Sequence, residues 1–503
     1  MSAVWSVSGQ HYPALSKGWL FLASGSSSSW TAAFCILFVW RYLRQVVHLI
    51  AFWMYRPAEP LPHPTITSAD VTVIIPTIDP HNQHFQAGLT SACRNLPRRV
   101  VVVTAGEPLR LETIRVCAAV AIDVLAAPAA NKRVQVVTGA QAASGTRILA
   151  LMDDHVLWKD TFLQYALPAF ERDPTVGIVG TNKRVIRDER HDSLRHRVLN
   201  MIQCLYLERH NFEIRSSNAV DGGVFVVSGR TSLLRSCIMT DPLFVQGFLN
   251  ETLFGGRVGP LAVDDDNFIT RWCIARGWRV KIQYRDETLI TTSLGSAYKF
   301  SGGLIRWVRT TWRSNTVSLL SWHVWATQPW SVYAVYMSLF TNFAMIYDPL
   351  LLYAFAQSDL CGYGSSSAGQ HESLFRSLLP LICWMLAFKM VKPFAFFWRH
   401  PQDLLILPAY FAFTWMHSLI KLKGLLTCYN VKWEGRNLAA LNADLVASQA
   451  ARRASVSSTE ALPMLDPLPT TTTTTTSRPN GLLAWSKTNP LFTTSTEKRM
   501  RFR

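Results

Sequence analysis

Cysteine is sparse and scattered: nine residues in 503, with no C-x-x-C pair and no even framework. That pattern argues against a disulfide scaffold and fits reduced thiols facing the cytosol. Acidic residues are also scarce, 33 against 50 Lys and Arg, which leaves a formal charge of +17. No aromatic-basic module or zinc-finger spacing accompanies the excess, so nucleic acid is not an expected partner. Basic loops flanking membrane segments account for it instead. The N-terminus lacks a basic stretch leading into an apolar core and a small-residue cleavage site, which argues against a cleavable signal peptide. No inverted repeat is visible among the apolar segments, against a transporter. What the chain does have is apolar mass: 49% hydrophobic residues, 18 Trp and a mean hydropathy of +0.13. Together with a long polar tail, this predicts a membrane protein with a soluble part.

The first long apolar run covers residues 30–55 and carries Arg41, Arg44 and His48 in its second half. A patch at 18–23 is too short to span a bilayer alone. A Pro-rich linker runs to Pro64, and from residue 70 to about 296 the composition is that of a soluble α/β domain. Strands are predicted at 71–76, 99–104, 134–138 and 148–152. Helices are predicted at 109–126 and 158–171. Alternating elements of this kind argue for a parallel sheet. A Trp- and Arg-rich connector at 305–325 precedes three further apolar runs, 330–356, 374–398 and 404–426. The charges inside these include Asp348, Lys389 and Lys392, the two lysines reading as helix-end residues. The expected partition is 1–29 N-terminal segment, 30–56 span, 57–69 linker, 70–298 catalytic domain and 299–328 interfacial helices. It continues with 329–428 spans, 429–446 gating-loop region and 447–503 disordered tail, which contains the tract Thr470 to Thr476.

The chemistry concentrates at strand ends. Residues 148–152 are apolar and run directly into Asp153-Asp154-His155. A strand buried on both faces would deliver these side chains to the ligand crevice of a parallel sheet. Asp153 and His155, at i and i+2, suit a divalent cation that in turn holds a diphosphate, His155 favouring Mn²⁺ over Mg²⁺. The ordinary alternative is an acidic turn. Asp79, after the first strand, is placed to receive a nucleobase or ribose, although an Asp-Pro there is often only a turn. Lys132 and Arg133 offer two cations to a diphosphate unless they are solvated surface.

Asp221-Gly222-Gly223 and Ser228-Gly229-Arg230 flank a predicted strand at 224–227, and their small residues would let a substrate approach the backbone. Asp264-Asp265-Asp266 places three carboxylates ahead of a helix predicted over 268–276. Mutual repulsion suits one of them to act as a general base, and N-capping competes as an explanation. Arg306-Trp307 and Trp312-Arg313 fall on a predicted amphipathic helix at a membrane interface, with guanidinium groups in reach of phosphate.

In this order the motifs resemble those of the processive family-2 glycosyltransferases, a group that includes hyaluronan, chitin and cellulose synthases, and in particular the fungal membrane polysaccharide synthases of type 2. The resemblance spans roughly residues 33–437. It implies a GT-A-like nucleotide-sugar-binding α/β domain inserted between transmembrane helices. It puts metal and nucleotide diphosphate on Asp153 and His155, and catalysis on Asp265 and Asp266, with Asp266 as base. The Gln-x-x-Arg-Trp signature falls on Gly303 to Trp307, and a Trp-x-x-Arg gating element on Trp433 and Arg436. Three positions depart from the pattern: His155 replaces an Asp, Gly303 replaces the Gln, and Thr104 stands where relatives often carry an Asp.

The resulting expectation is an inverting transfer from a nucleotide-sugar donor, UDP-linked, to a growing polysaccharide, with Mn²⁺ or Mg²⁺ as cofactor. Donor contacts are assigned to Asp79, Lys132, Arg133, Asp153, Asp154 and Arg313. Catalysis is assigned to Asp266, Asp265, Arg306 and Trp307, and acceptor or gating contacts to Gly222, Gly223, Trp307, Trp433 and Arg436. The lipid bilayer is the expected surroundings, at the plasma membrane with the catalytic domain cytosolic, or in the Golgi. No oligomeric state follows. The alternatives are a non-processive transferase acting on a lipid, of the ceramide glucosyltransferase kind, and a transporter with a regulatory domain.

Overall fold

The structure is a computed structural model that describes residues 26–187, 193–361, 374–431, 440–443 and 445–447. Its centre is a seven-stranded sheet in the order β3-β2-β1-β4-β8-β6-β9. The strands are β1 (Val71–Pro76), β2 (Arg99–Ala105), β3 (Asp123–Ala127), β4 (Ile148–Met152), β6 (Val176–Thr181), β8 (Thr231–Arg235) and β9 (Arg279–Gln283). A small second sheet pairs β5 (Val156–Leu157), β10 (Ile290–Thr292) and β7 (Lys183–Val185) in the order β5-β10-β7.

Every residue of β1 and β4 is buried, which explains why they read as unbroken apolar runs. Ile74, Val101, Val103, Leu149 and Leu151 face one core, and Val73, Ile75, Val102, Ala150 and Met152 the other. The chain passes from β1 outward to β2 and β3, then returns to β4 on the other side of β1. Their carboxyl ends form the switch point at which open α/β sheets bind ligands. The sheet is mixed, not parallel throughout: β8 runs antiparallel to both β4 and β6.

Four local expectations are corrected. Residues 134–138 lie in the Lys132–Ala142 helix, which Asn131 caps by accepting the Arg133 N–H at 2.9 Å. A short apolar run is ambiguous between strand and helix; here Gly139 decides the packing, because a Cβ there would stand 2.6 Å from Ile74 Cγ2. The helix expected over 109–126 is Gly106–Val116, and its last residues form edge strand β3. The helix expected over 158–171 is two short helices, Phe162–Ala166 and Pro168–Arg172, where the proline cannot donate to a continuing ladder. Residues 224–227 form no strand. Val224, Val226 and Val227 are buried outside any ladder: the Val224 carbonyl accepts from the Tyr336 hydroxyl at 3.1 Å and the Val227 N–H donates to Thr270 Oγ1 at 3.0 Å, and the ladder begins at Thr231.

Two helical stretches are long and apolar enough to cross a membrane, Ser27–Met54 and Pro401–Leu426. A third candidate, Pro329–Thr341 followed by Ala344–Ala356, bends by 93° at its break. Leu374–Met390 contributes 17 described residues, at the lower end of the roughly 17–25 that a span takes. Lys389 does lie in the last turn of its helix, but it is also paired. Asp348 Oδ1 lies 2.5 Å from Arg41 Nη2 in an ion pair, and its Oδ2 accepts from Lys389 at 2.7 Å and Trp415 Nε1 at 3.0 Å. Lys392 pairs with Glu213. The Tyr55 hydroxyl donates to the Ile282 carbonyl and accepts the Tyr284 N–H at 3.0 Å, tying the N-terminal helix to the edge of the sheet.

Candidate active site

Buried β4 delivers Asp153 to the switch point, and the N-terminus of the Lys132–Ala142 helix delivers Lys132 opposite it. The Lys132 ammonium lies 2.7 Å from Asp153 Oδ1 and 3.0 Å from Asp265 Oδ2, bridging carboxylates from two elements. Burial lowers the proton affinity of Lys132, but Asp153 and Asp265 outweigh it and hold the amine above the ordinary lysine range. Burial likewise works against an ionised Asp153, and the charges of Lys132 and His155 keep it ionised below the ordinary carboxylate value.

Asp265 and Asp266 occupy the first turn of the Asp265–Ala275 helix, where its dipole favours negative charge. Asp266 Oδ1 accepts from the N–H and Nδ2 of Asn267, at 2.9 and 3.1 Å. Its Oδ2 accepts the Gly229 N–H at 3.0 Å, which leaves one lone pair on that oxygen. Burial first, and the charge of Asp265 second, raise the Asp266 pKa, so this carboxylate has a stronger affinity for a proton than an ordinary aspartate. Gly229 makes the approach possible, since a Cβ there would lie 3.1 Å from Asp266 Oδ2.

Other expected residues serve the scaffold. Arg133 does not face the carboxylates. Its guanidinium is fully buried, 2.7 Å from each of Glu251 Oε2, the Phe248 carbonyl and the Val263 carbonyl. Arg313 is 1% exposed and binds Asp264 Oδ2 through Nε at 2.8 Å and Nη2 at 2.6 Å, so it does not reach a phosphate site. Asp264 stands at the N-cap position in a left-handed conformation (φ +62°). It makes no side-chain cap, because its carboxylate is taken by Arg313 and Thr310. Gly222 and Gly223 shape the backbone at the end of a helix. Gly222 ends the Leu194–Asp221 helix at φ +78°, and a Cβ on Gly223 would lie 2.1 Å from Ser331 Oγ.

Asp79 is exposed at the carboxyl end of β1. Close by, Leu445 packs on Ala105 and Ala130 with Ile78 at the edge, and Asn442 Oδ1 accepts the Ala130 N–H at 2.7 Å. Asp154 is buried. It accepts from Thr77 Oγ1 at 2.8 Å and lies 3.0 Å from His155 Nδ1. That contact orients the imidazole and, with Nδ1 donating, leaves Nε2 as a ligand. Among the described residues no three His, Cys, Asp or Glu side chains come together as a metal cage. An Asp and a His suffice for a divalent cation whose shell substrate phosphates and water complete, and Asp153 and His155 are the residues that would hold one here.

Trp307 stacks on Tyr206 with ring centroids 5.3 Å apart, and the Arg230 guanidinium lies 5.3 Å from the Trp307 ring centroid. Arg306 is half-buried beside it. Trp433 and Arg436 lie outside the described residues. Three residues had no role in the sequence reading: Lys183 and Arg230, which feel the charge of Asp266, and His210, which feels the charges of those two. They come from different elements, and only Arg230 stood within a quoted motif.

Comparison with known proteins gives a consistent picture. A family model described as glycosyltransferase-like family 2 matches residues 69–315. A type 2 glycosyltransferase of Pyricularia oryzae is 35% identical over 411 residues, covering 81% of this chain and 82% of its own. One from Gibberella zeae is 36% identical over 418 residues, 82% of this chain and 76% of its own. Among solved structures, a mannosyltransferase from Pyrobaculum calidifontis in complex with GDP-mannose and Mn²⁺ aligns over 80% of this chain and 99% of its own, at 15% identity and a TM-score of 0.45.

Proposed function

The chain belongs to the family-2 glycosyltransferases, and from that premise we propose that it is a membrane-embedded inverting transferase that extends a polysaccharide from a nucleotide-sugar donor, UDP-linked. Its GT-A-like domain takes the donor at the carboxyl ends of β1 and β4, with Asp79 towards the nucleoside and Lys132 towards the diphosphate. Asp266 accepts the proton of the acceptor hydroxyl through the open position on Oδ2. The hydroxyl oxygen bonds to the anomeric carbon as the bond from that carbon to the diphosphate breaks, and the configuration inverts. Negative charge gathering on the departing nucleoside diphosphate is met by Lys132 and Arg306. A divalent cation held by Asp153 and His155 would supply further neutralisation there when bound.

The observation that carries the polymer reading is the continuity of the acceptor wall with the apolar helices. Trp307 lies on the Ala297–Leu319 helix, whose next turns dock on the Leu407–Leu426 helix. Trp312 Nε1 donates to the Lys421 carbonyl at 3.0 Å, and a Cβ on Gly424 would stand 2.4 Å from Val308 Cγ1. A sugar leaving Asp266 along Trp307 therefore moves towards the apolar helices, where an indole face suits a pyranose ring. We place the protein in the plasma membrane with its catalytic domain on the cytosolic side.

The test incubates membranes containing the full chain with a panel of radiolabelled nucleotide sugars and sizes the product. A ladder of growing chains is expected. A single labelled lipid would replace this reading with the lipid-directed one.

A further inference from the structure

The catalytic neighbourhood holds more hydrogen-bond donors than it has acceptors for. Lys183 opens β7 with its side chain 1% exposed, and its Nζ has no hydrogen-bond partner. The backbone cannot easily carry it outward. Its N–H donates to Asn211 Oδ1 at 3.1 Å, its carbonyl accepts from Asn211 Nδ2 at 2.6 Å, and it pairs with Ile290 of β10. His210, the residue before Asn211, has a buried and unpartnered Nδ1, its ring set edge-on against Phe225 at 4.5 Å. Arg230 has a buried, unpartnered Nε, and Thr181 an unpartnered hydroxyl. Three of these cations and bases are brought to one side of Asp266: Gly229, which donates to Asp266, precedes Arg230; Arg230 lies over Trp307, which stacks on Tyr206, one turn before His210; and Asn211, next to His210, holds both backbone groups of Lys183.

Buried polar groups in folded proteins are nearly always satisfied, and a buried ammonium without a partner is costly. Asp266 cannot serve all of these donors. Three of its four acceptor positions are directed to Gly229 and Asn267, and the fourth is left for the acceptor hydroxyl. Lys132, not Lys183, is the cation that contacts Asp153 and Asp265. The imbalance is therefore specific to the side of Asp266 that β7 and the Leu194–Asp221 helix supply, which also carries the Tyr206 partner of Trp307. Burial draws Lys183 and His210 well below their ordinary proton affinities, and an anion placed among them would restore both.

We propose that this cluster is an acceptor subsite for an anionic group, a carboxylate or phosphate carried close to the hydroxyl that is glycosylated, with Lys183 as its main contact and His210 and Arg230 beside it. The inference rests on Asp266 facing the acceptor. Lysine acts as a point charge and accepts either oxyanion, so the chemistry fits a uronic acid in a growing chain and a phosphate on a lipid or sugar alike.

The experiment uses the full chain in membranes with the donor identified by the panel above, in two arms. One compares a glucuronate-terminated oligosaccharide with its methyl ester; the other compares lysophosphatidic acid with monoacylglycerol. In one arm the wild-type KM for the charged acceptor should be lower than for its neutral partner by about tenfold or more. Lys183→Met should abolish that difference, leaving donor KM, donor hydrolysis and use of the neutral acceptor within about twofold, while Lys183→Arg keeps most of the preference. Equal KM values within both arms overturn the proposal, and this wild-type comparison needs no variant to fold. So does a Lys183→Met that raises donor KM, or that weakens charged and neutral acceptors alike. Polymer growth on the endogenous primer is read in the same membranes without added acceptor. Its absence alongside an intact charge preference would remove the polymer reading and leave the subsite standing.

Discussion

Two runs of acidic residues meet at this active site, one after β4 and one opening the Asp265–Ala275 helix, and they divide their labour in the same way. Each commits one carboxylate to the scaffold. Asp154 is buried against Thr77 and His155, and Asp264 against Arg313 and Thr310. Each leaves another facing the centre, and Lys132 joins the two by bridging Asp153 and Asp265. They differ in what holds the scaffold member. Asp264 faces a guanidinium that is itself buried, whereas Asp154 faces a hydroxyl and an imidazole. Repeated negative charge is thus tolerated because only part of each run is left for chemistry, and the helix run depends more heavily on its partner.

The sharpest way to break the comparison is at the reacting carboxylate. Asp266→Asn keeps the size and the hydrogen bond to Gly229 but cannot accept a proton, so transfer should fall by about 10²–10⁴-fold. Nucleotide binding, measured by calorimetry, should stay near wild type. Retention of more than half the turnover would move the base to Asp265.

The scaffold members should separate by stability. Asp264→Ala strands Arg313, which is 1% exposed, and uncompensated buried charges of this kind cost about 3–5 kcal/mol. Asp154→Asn weakens hydrogen bonds to a buried hydroxyl and a half-buried imidazole and should cost about 1–3 kcal/mol. Thermal unfolding of the purified full chain measures both. Equal losses, or a larger one for Asp154→Asn, would refute the division. The pair Asp264→Leu with Arg313→Leu should recover much of the first loss, since no buried charge is then left alone.

The pH profile sharpens the comparison further. In the proposed role Asp266 accepts a proton as a carboxylate, and burial together with Asp265 raises its pKa above the ordinary 3.8. Transfer should therefore be lost as pH falls, at a pH higher than an unperturbed aspartate would set. Asp265→Asn removes the like charge beside it and should move that acid limb to lower pH, which a kcat/KM profile reads directly. A limb unmoved by the substitution would show that burial alone sets it.

The smallest expected effect lies in the β4 run. His155→Asp replaces an imidazole with a harder oxygen ligand and should shift the preference from Mn²⁺ towards Mg²⁺ at roughly unchanged maximal activity. Identical metal curves for variant and wild type would take His155 out of the coordination shell.

These residues also mark how far the sequence alone could be read. β4 was legible because a strand buried on both faces must be apolar throughout, and the residues after it must emerge at the sheet's carboxyl end. Asp265 and Asp266 were legible only as carboxylates ahead of a helix expected over 268–276; the helix in fact starts at Asp265, with Asp264 at the N-cap position. Lys132 and Arg133 were read together, yet neighbours on a helix point about 100° apart. One therefore reaches the carboxylates while the other is buried against Glu251. Arg313 misled for a related reason: its charge suggested phosphate, and only the fold shows the carboxylate that consumes it. The strand expected at 134–138 failed because a run of valines and small residues satisfies either period.

Composition and the local pattern of side chains thus determined the α/β domain, the apolar helices around it and the order of the acidic motifs, since each depends on which residues must leave water and in what rhythm. Tertiary structure decided which charges are free to act. The Lys183, His210 and Arg230 cluster is drawn from β7, the Leu194–Asp221 helix and the turn before β8, and Asp266 joins it from a fourth element. No spacing along the chain encodes that meeting, because electrostatic partnership depends on distance through space, and the packing of the sheet and helices sets those distances.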